Sequence, residues 1–210
     1  MIQETFFQLI KNYDCNEATR NELWMEMEEN YSSSNRFYHN LTHLETLLNQ
    51  LGNVRNEISN WEAILFSLYY HDLIYDSTRS DNEEQSAIIA ADRMQRIKVP
   101  EQVIEECKLH IIATKFHKLS EIMDSNYFTD ADLSILGHSW KEYSIYFKDV
   151  RKEYLIYSDA IFNEGRSKVL KHFLNMDRIY KTDYFYNHLE QQAKLNISKE
   201  LDELNGFSKE

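Results

Sequence analysis

Apolar residues recur at helical spacing from the start of the chain, with Ile2, Phe6, Leu9 and Ile10 on one face of a helix predicted over residues 2–12. Asp14 to Asn16 interrupt it, and a second helix is expected to about Asn30. After the polar loop from Ser32 to Asn35, the run from Arg36 to Leu51 should be helical through most of its length and stop at Gly52. Ser59-Asn-Trp-Glu62 has the S-x-x-E form of a capping box, opening the helix expected to carry His71 and Asp72. Ser80-Asp-Asn-Glu83 repeats that form after a polar turn and starts a helix to about Ile97. Pro100 suits the first turn of the next helix, which is expected to carry Cys107, His110 and His117. Asp124 to Tyr127 reads as a loop, and Thr129 or Asp130 as the cap of a short helix ending at Gly137. Two long helices follow, over roughly 139–157 and 159–175, and an amphipathic one from about Asp183 to Leu204.

Composition supports the same picture. Four glycines and one proline in 210 residues, with abundant Leu, Ile, Glu, Lys and Asn, predict an all-α fold of nine or ten helices in a single domain spanning 1–210. A formal charge of −12 argues against general nucleic-acid binding and against an anionic membrane surface, because counterion release needs a basic face. A small phosphorylated substrate remains compatible if a local cation or a metal holds it. Cys15 and Cys107 form no C-x-x-C pair and read as thiols of a reducing compartment. The first residues lack a basic region and a long apolar run, so no signal peptide and no membrane span are expected, and the protein is expected to be cytoplasmic.

Candidate chemistry centres on His71 and Asp72, side by side in the run Phe66-Ser-Leu-Tyr-Tyr-His-Asp-Leu-Ile-Tyr-Asp76. Burying an imidazole and a carboxylate there is costly unless both find strong partners. A plain His–Asp hydrogen bond is one solution; a metal ion, which takes a neutral imidazole and an ionised carboxylate together, is another. On one helix, His39 and His43 would project from the same face. Adjacent residues such as His71 and Asp72 lie about 100° apart yet still reach one ion. A third helix would add a carboxylate, and Asp130 and Asp132 both qualify. Such a mixed nitrogen and oxygen site suits a Lewis acid that activates water.

The order His43, His71-Asp72, Asp132 resembles the HD-domain superfamily of metal-dependent phosphohydrolases, most closely the branch of predicted metal-dependent HD phosphohydrolases. The matching blocks run from Arg36-Phe-Tyr-His39 to Val150-Arg151 with Glu153-Tyr154 and cover nearly the whole chain. The resemblance implies an all-α core holding one or two divalent metals (Mn, Fe, Co, Ni, Zn or Mg), with His43, His71, Asp72 and Asp132 as ligands. It implies hydrolysis of a phosphate ester or phosphoanhydride in a small, nucleotide-like molecule. Tyr38-His-Asn-Leu-Thr-His43 is similar to the Tyr-His-Asn-x-x-His segment of cyclic-nucleotide phosphodiesterases, which makes His39 the candidate general acid. Asp132 sits in the usual Ala-Asp-Leu context, with Asp130 as its rival. Asp76 falls where alarmone hydrolases related to the superfamily carry a second acid, although Tyr75 replaces the acid before it.

Other residues carry two readings each. Glu83 is either a catalytic carboxylate or the third helical residue of a capping box. His117, seven residues after His110, reads as facing the substrate or a second metal, or as a surface histidine; for His110 the surface reading is favoured. Arg36 and Lys115 are candidate phosphate-binding cations or solvated charges. Arg151 and Glu153 fit a structural ion pair, and the Tyr-rich helices fit core. Two further classes stay open at this point: an HD-fold di-iron oxygenase, and a non-catalytic nucleotide-binding module.

Overall fold

The helix α4, Trp61–Tyr70, has no wet face beyond its first turn: every residue from Ala63 to Tyr70 is buried. A helix that is apolar all round must be surrounded. In a computed structural model that describes residues 1–206, it is packed by α1 (Ile2–Ile10), α3 (Leu41–Asn53), α5 (Asn82–Arg96) and α6 (Glu101–Ala113). With α2 (Glu17–Tyr31) and α7 (Met123–Asp132) these make up the first of two compact units, Met1–Ala131. Its core includes Phe6, Tyr31, Leu47, Phe66, Tyr69 and Phe128. The Tyr69 hydroxyl donates to the Ile2 carbonyl at 2.8 Å, and the Tyr31 hydroxyl donates to the Tyr69 carbonyl at 3.1 Å. The chain is all-α, as expected: ten α-helices and no strand among the described residues.

Several helix ends differ from expectation, each for a local hydrogen-bonding reason. Neither predicted capping box forms. Asn60, not Ser59, caps α4 by accepting from the Ala63 N–H, and α5 begins after Asp81 with no side-chain cap. Helix α3 starts at Leu41 rather than near Arg36, because the Asn40 side chain accepts from the Thr42 and His43 N–H groups. Helix α6 ends at Ala113, short of His117, whose positive φ of 49° lies outside helical space. The expected loop Asp124–Tyr127 is instead part of α7, and Thr129 and Asp130 lie within that helix. Asp124 accepts from the N–H groups of Ser59 and Asn60 at 3.0 and 2.8 Å, which fixes the start of α7 to the start of α4.

The second unit, from Asp132 onward, contains a 3-10 helix, Leu133–Gly137, then α8 (Trp140–Glu153), α9 (Asp159–Leu174) and α10 (Asp183–Gly206). Gly137 lets α10 approach: a Cβ at this position would lie 2.5 Å from the Leu189 Cβ. The Asn196 amide reinforces the contact by donating to the Leu136 and His138 carbonyls, both at 2.8 Å. Arg166 on α9 donates to both carboxylate oxygens of Glu200 on α10 at 2.7 and 3.0 Å, and the Tyr143 hydroxyl on α8 donates to the same group. Arg151 pairs with Asp159, not with Glu153. No helix among the described residues is long and apolar enough to cross a membrane.

The Arg166–Glu200 pair is almost fully buried, with side-chain exposures of 10% and 2%. Glu200→Leu leaves the guanidinium without its counter-ion and should destabilise the protein by about 3–5 kcal/mol. Urea unfolding checks this, and a loss below about 1 kcal/mol would contradict the assignment of this pair as the bolt between α8, α9 and α10.

Candidate metal centre

His43 is the third residue of α3, and the Asn40 cap fixes where it starts. Only 5% of His43 is exposed. His71 lies one residue past the end of α4, still in helical conformation, its N–H closing the last turn on the Ser67 carbonyl at 2.9 Å. The His71 Nδ1 lies 3.0 Å from the Leu68 carbonyl. A carbonyl only accepts, so Nδ1 holds a ring proton, and in a neutral ring Nε2 would present its lone pair. That Nε2 faces the His43 Nε2 at 3.2 Å and the Asp72 Oδ2 at 3.1 Å; the His43 Nε2 and Asp72 Oδ2 are 3.9 Å apart.

Asp132 joins them. It is the last residue of α7, all the rest of which belongs to the first unit, so that helix sets its position. His43, His71 and Asp132 each offer one ligand atom within 4.8 Å of the others. Asp130, its rival by sequence, is fully buried and not a member of this group.

These atoms are electron-pair donors, gathered where little water reaches. Neutral imidazoles can place one N–H between them at best, from His43, because the His71 proton is held by Leu68. A divalent cation satisfies both imidazole lone pairs and the carboxylates at once, and two histidines with two aspartates form a donor set for borderline metals. The Nδ1–H to carbonyl bond of His71 is the usual support for a ligating imidazole. The donor set is one that a divalent ion would accept.

The other expected site residues fall in several places. His39 precedes the α3 cap, so it does not share a helix face with His43, yet its ring comes within 5.9 Å of the His43 ring and stacks on Tyr75 at 4.1 Å. Asp76 is exposed and accepts from the Thr78 N–H and hydroxyl at 2.8 and 2.7 Å; these bonds hold its carboxyl below the usual range. Glu83 lies 3.9 Å from the Lys115 ammonium. Lys115 itself donates to Glu84 at 2.5 Å and to the Ser80 carbonyl at 2.6 Å. It therefore pins the start of α5 and is already occupied as a phosphate cation. Arg36 departs further from expectation: only 9% exposed, it donates to the backbone carbonyls of His39, Asp72 and Leu73. His117 lies beyond the end of α6 and does not share a face with His110.

His110 is not a surface histidine. It is fully buried, with Nδ1 2.7 Å from the Ser125 hydroxyl and its ring against Phe128, which packs edge-on against His71. Sequence reasoning missed this layer because Ser125 falls in a segment read as loop. It also missed the Ser86 hydroxyl, which accepts from the Ile74 N–H at 3.0 Å and ties the chain after Asp72 to α5. No family model matches the chain, and no curated protein matches it.

Burial pushes the His110 imidazole down from 6.5 to about 4, while the carboxylates of Asp124 and Glu106 pull the other way. Between those two values the unfolded chain binds a proton at this position and the folded chain does not. Stability should therefore fall as the pH drops through this window, by on the order of 3 kcal/mol from this residue, with no contribution above it. Urea midpoints for His110→Gln should lose that part of the pH slope; an unchanged slope would contradict a neutral buried His110.

Proposed function

We propose that this chain is a metal-dependent phosphohydrolase of HD type, acting on a phosphate ester or phosphoanhydride of a small, nucleotide-like molecule. The observation that carries the reading is the grouping of His43, His71 and Asp132, with the Asp72 Oδ2 3.1 Å from the His71 Nε2. These four residues would hold a divalent ion. When bound, such an ion polarises a phosphoryl oxygen and makes a coordinated water acidic enough to attack near neutral pH.

The chain's own groups supply the rest. His39 stands beside His43 and protonates the leaving oxygen, a task suited to an imidazole. The Leu68 carbonyl keeps the His71 proton on Nδ1 and so keeps Nε2 available to the ion. Arg36 and Lys115 are both tied to internal partners, so the phosphate depends on the ion for most of its counter-charge. Substrate binding as well as turnover should therefore require metal. Asp76 and Glu83 receive no step, since one is folded into its own turn and the other lies near Lys115.

The oxygenase reading has less support, because neither His110 nor His117 joins the His43, His71 and Asp132 group among the described residues. A reducing cytoplasmic setting belongs to the same proposal: both cysteines are free, and burial pushes the Cys107 thiol up to about 12.

The test is phosphate release from a panel of nucleoside mono-, di- and triphosphates with Mn, Co, Ni, Zn and Mg in turn. Turnover should need metal, vanish in Asp72→Ala, and fall about 10²–10⁴-fold in kcat for His39→Gln. Full activity in Asp72→Ala would defeat the ligand assignment. Metal binding without turnover on any substrate would favour a non-catalytic binding module.

A further inference from the structure

The structure assigns Arg36 as a positioning residue: with Tyr75 it forms a clamp that holds His39 against the His43, His71 and Asp72 cluster. This inference rests on the proposed role of His39 as the acid. Arg36 lies in the irregular segment before α3, which has no helical hydrogen bonds to fix it. Its guanidinium supplies them instead. Nη1 donates to the His39 carbonyl at 3.3 Å and to the Asp72 carbonyl at 2.6 Å, and Nη2 donates to the Leu73 carbonyl at 2.7 Å. One planar group thus joins the backbone that bears the candidate acid to the backbone that bears a candidate ligand, although 36 positions separate Arg36 from Asp72.

The same guanidinium lies over two aromatic rings. Its central carbon lies 5.0 Å from the Tyr31 ring centre and 5.5 Å from that of Tyr75. Tyr75 then stacks on His39 at 4.1 Å with the planes 27° apart. Tyr31 is fully buried and its hydroxyl is bonded to the α4 backbone, so the stack is anchored at its inner end and carries the His39 imidazole at its outer end. Planarity, delocalised charge and a fork of donors are all used here, and lysine offers none of these in combination. Charge adds to the fit, because the Asp72 and Leu73 carbonyls lie just past the C-terminal end of α4, where the helix dipole favours a cation. The substitution of Tyr75 for the acid expected before Asp76 then has a purpose: it provides the ring between Arg36 and His39.

The experiment follows the His39 imidazole directly, by NMR of the histidine ring protons in the full-length protein, with the His39 signals assigned by their loss in His39→Gln. Tyr75→Leu removes the stacked ring and should move the His39 signals; Tyr75→Phe keeps a ring and should leave them near their wild-type positions. Arg36→Lys should move them too, while the signals of His172 and His188, on helices of the second unit, stay in place. His39 signals unmoved in Tyr75→Leu would overturn the clamp, and this arm stands even if Arg36→Lys fails to fold. With a substrate from the phosphate-release panel, Tyr75→Leu and Arg36→Lys should lower kcat about 10- to 100-fold with KM within about threefold, as expected when a reacting group is misplaced. A raised KM with unchanged kcat would make Arg36 a substrate contact and overturn the assignment. Failure of the hydrolase reading would show separately, as wild-type protein without turnover, while the NMR arm still decides the clamp.

Discussion

The constraint on which the first unit depends is the close packing of two imidazoles and a carboxylate at the end of α4. Two imidazole nitrogens 3.2 Å apart, with a carboxylate oxygen 3.1 Å from one of them, need a proton or a cation between them. The fold supports this arrangement from several sides. The apolar α4 delivers His71 at its C-terminal end, the Asn40 cap fixes where α3 presents His43, and α7 ends on Asp132. Around them, Leu68 fixes a proton, Arg36 fixes a backbone, and Phe128 closes the inner side of the His71 ring. Each of these holds a member of the group in place.

The placement of cations follows from the same logic. In a chain with a formal charge of −12, Arg36, Lys115 and Arg166 are each tied to internal acceptors. Arg36 and Lys115 serve as joints between elements of the first unit, and Arg166 as a joint within the second. If the cluster holds the proposed ion, an anionic ligand there would meet the charge of that ion rather than a basic surface.

Much of this was legible in the sequence. Low glycine and proline content and 3.6-residue periodicity gave the all-α class, and most helices fall within a few residues of where periodicity put them. The errors share a physical cause. Periodicity reports which face is apolar, whereas helix ends are decided by who accepts each N–H. Asn40 takes two such groups and stops α3 from reaching back to His39. Asp124 takes two from the start of α4, so a polar stretch that looked like loop is helix. His43, His71 and Asp132, three of the residues singled out through the family resemblance, do lie together. The internal use of Arg36 and Lys115 was not anticipated, because a cation's partner 30 or more positions away leaves no local signal.

The most direct test is metal content per chain in protein purified without added metal, measured on wild type, Asp132→Ala and Asp130→Ala. The account expects a stoichiometric divalent ion in wild type and in any folded Asp130→Ala protein, and its loss in Asp132→Ala. Wild-type protein that carries no ion and takes up none on titration would mean that the facing imidazoles share only a proton, and the metal centre would have to be abandoned.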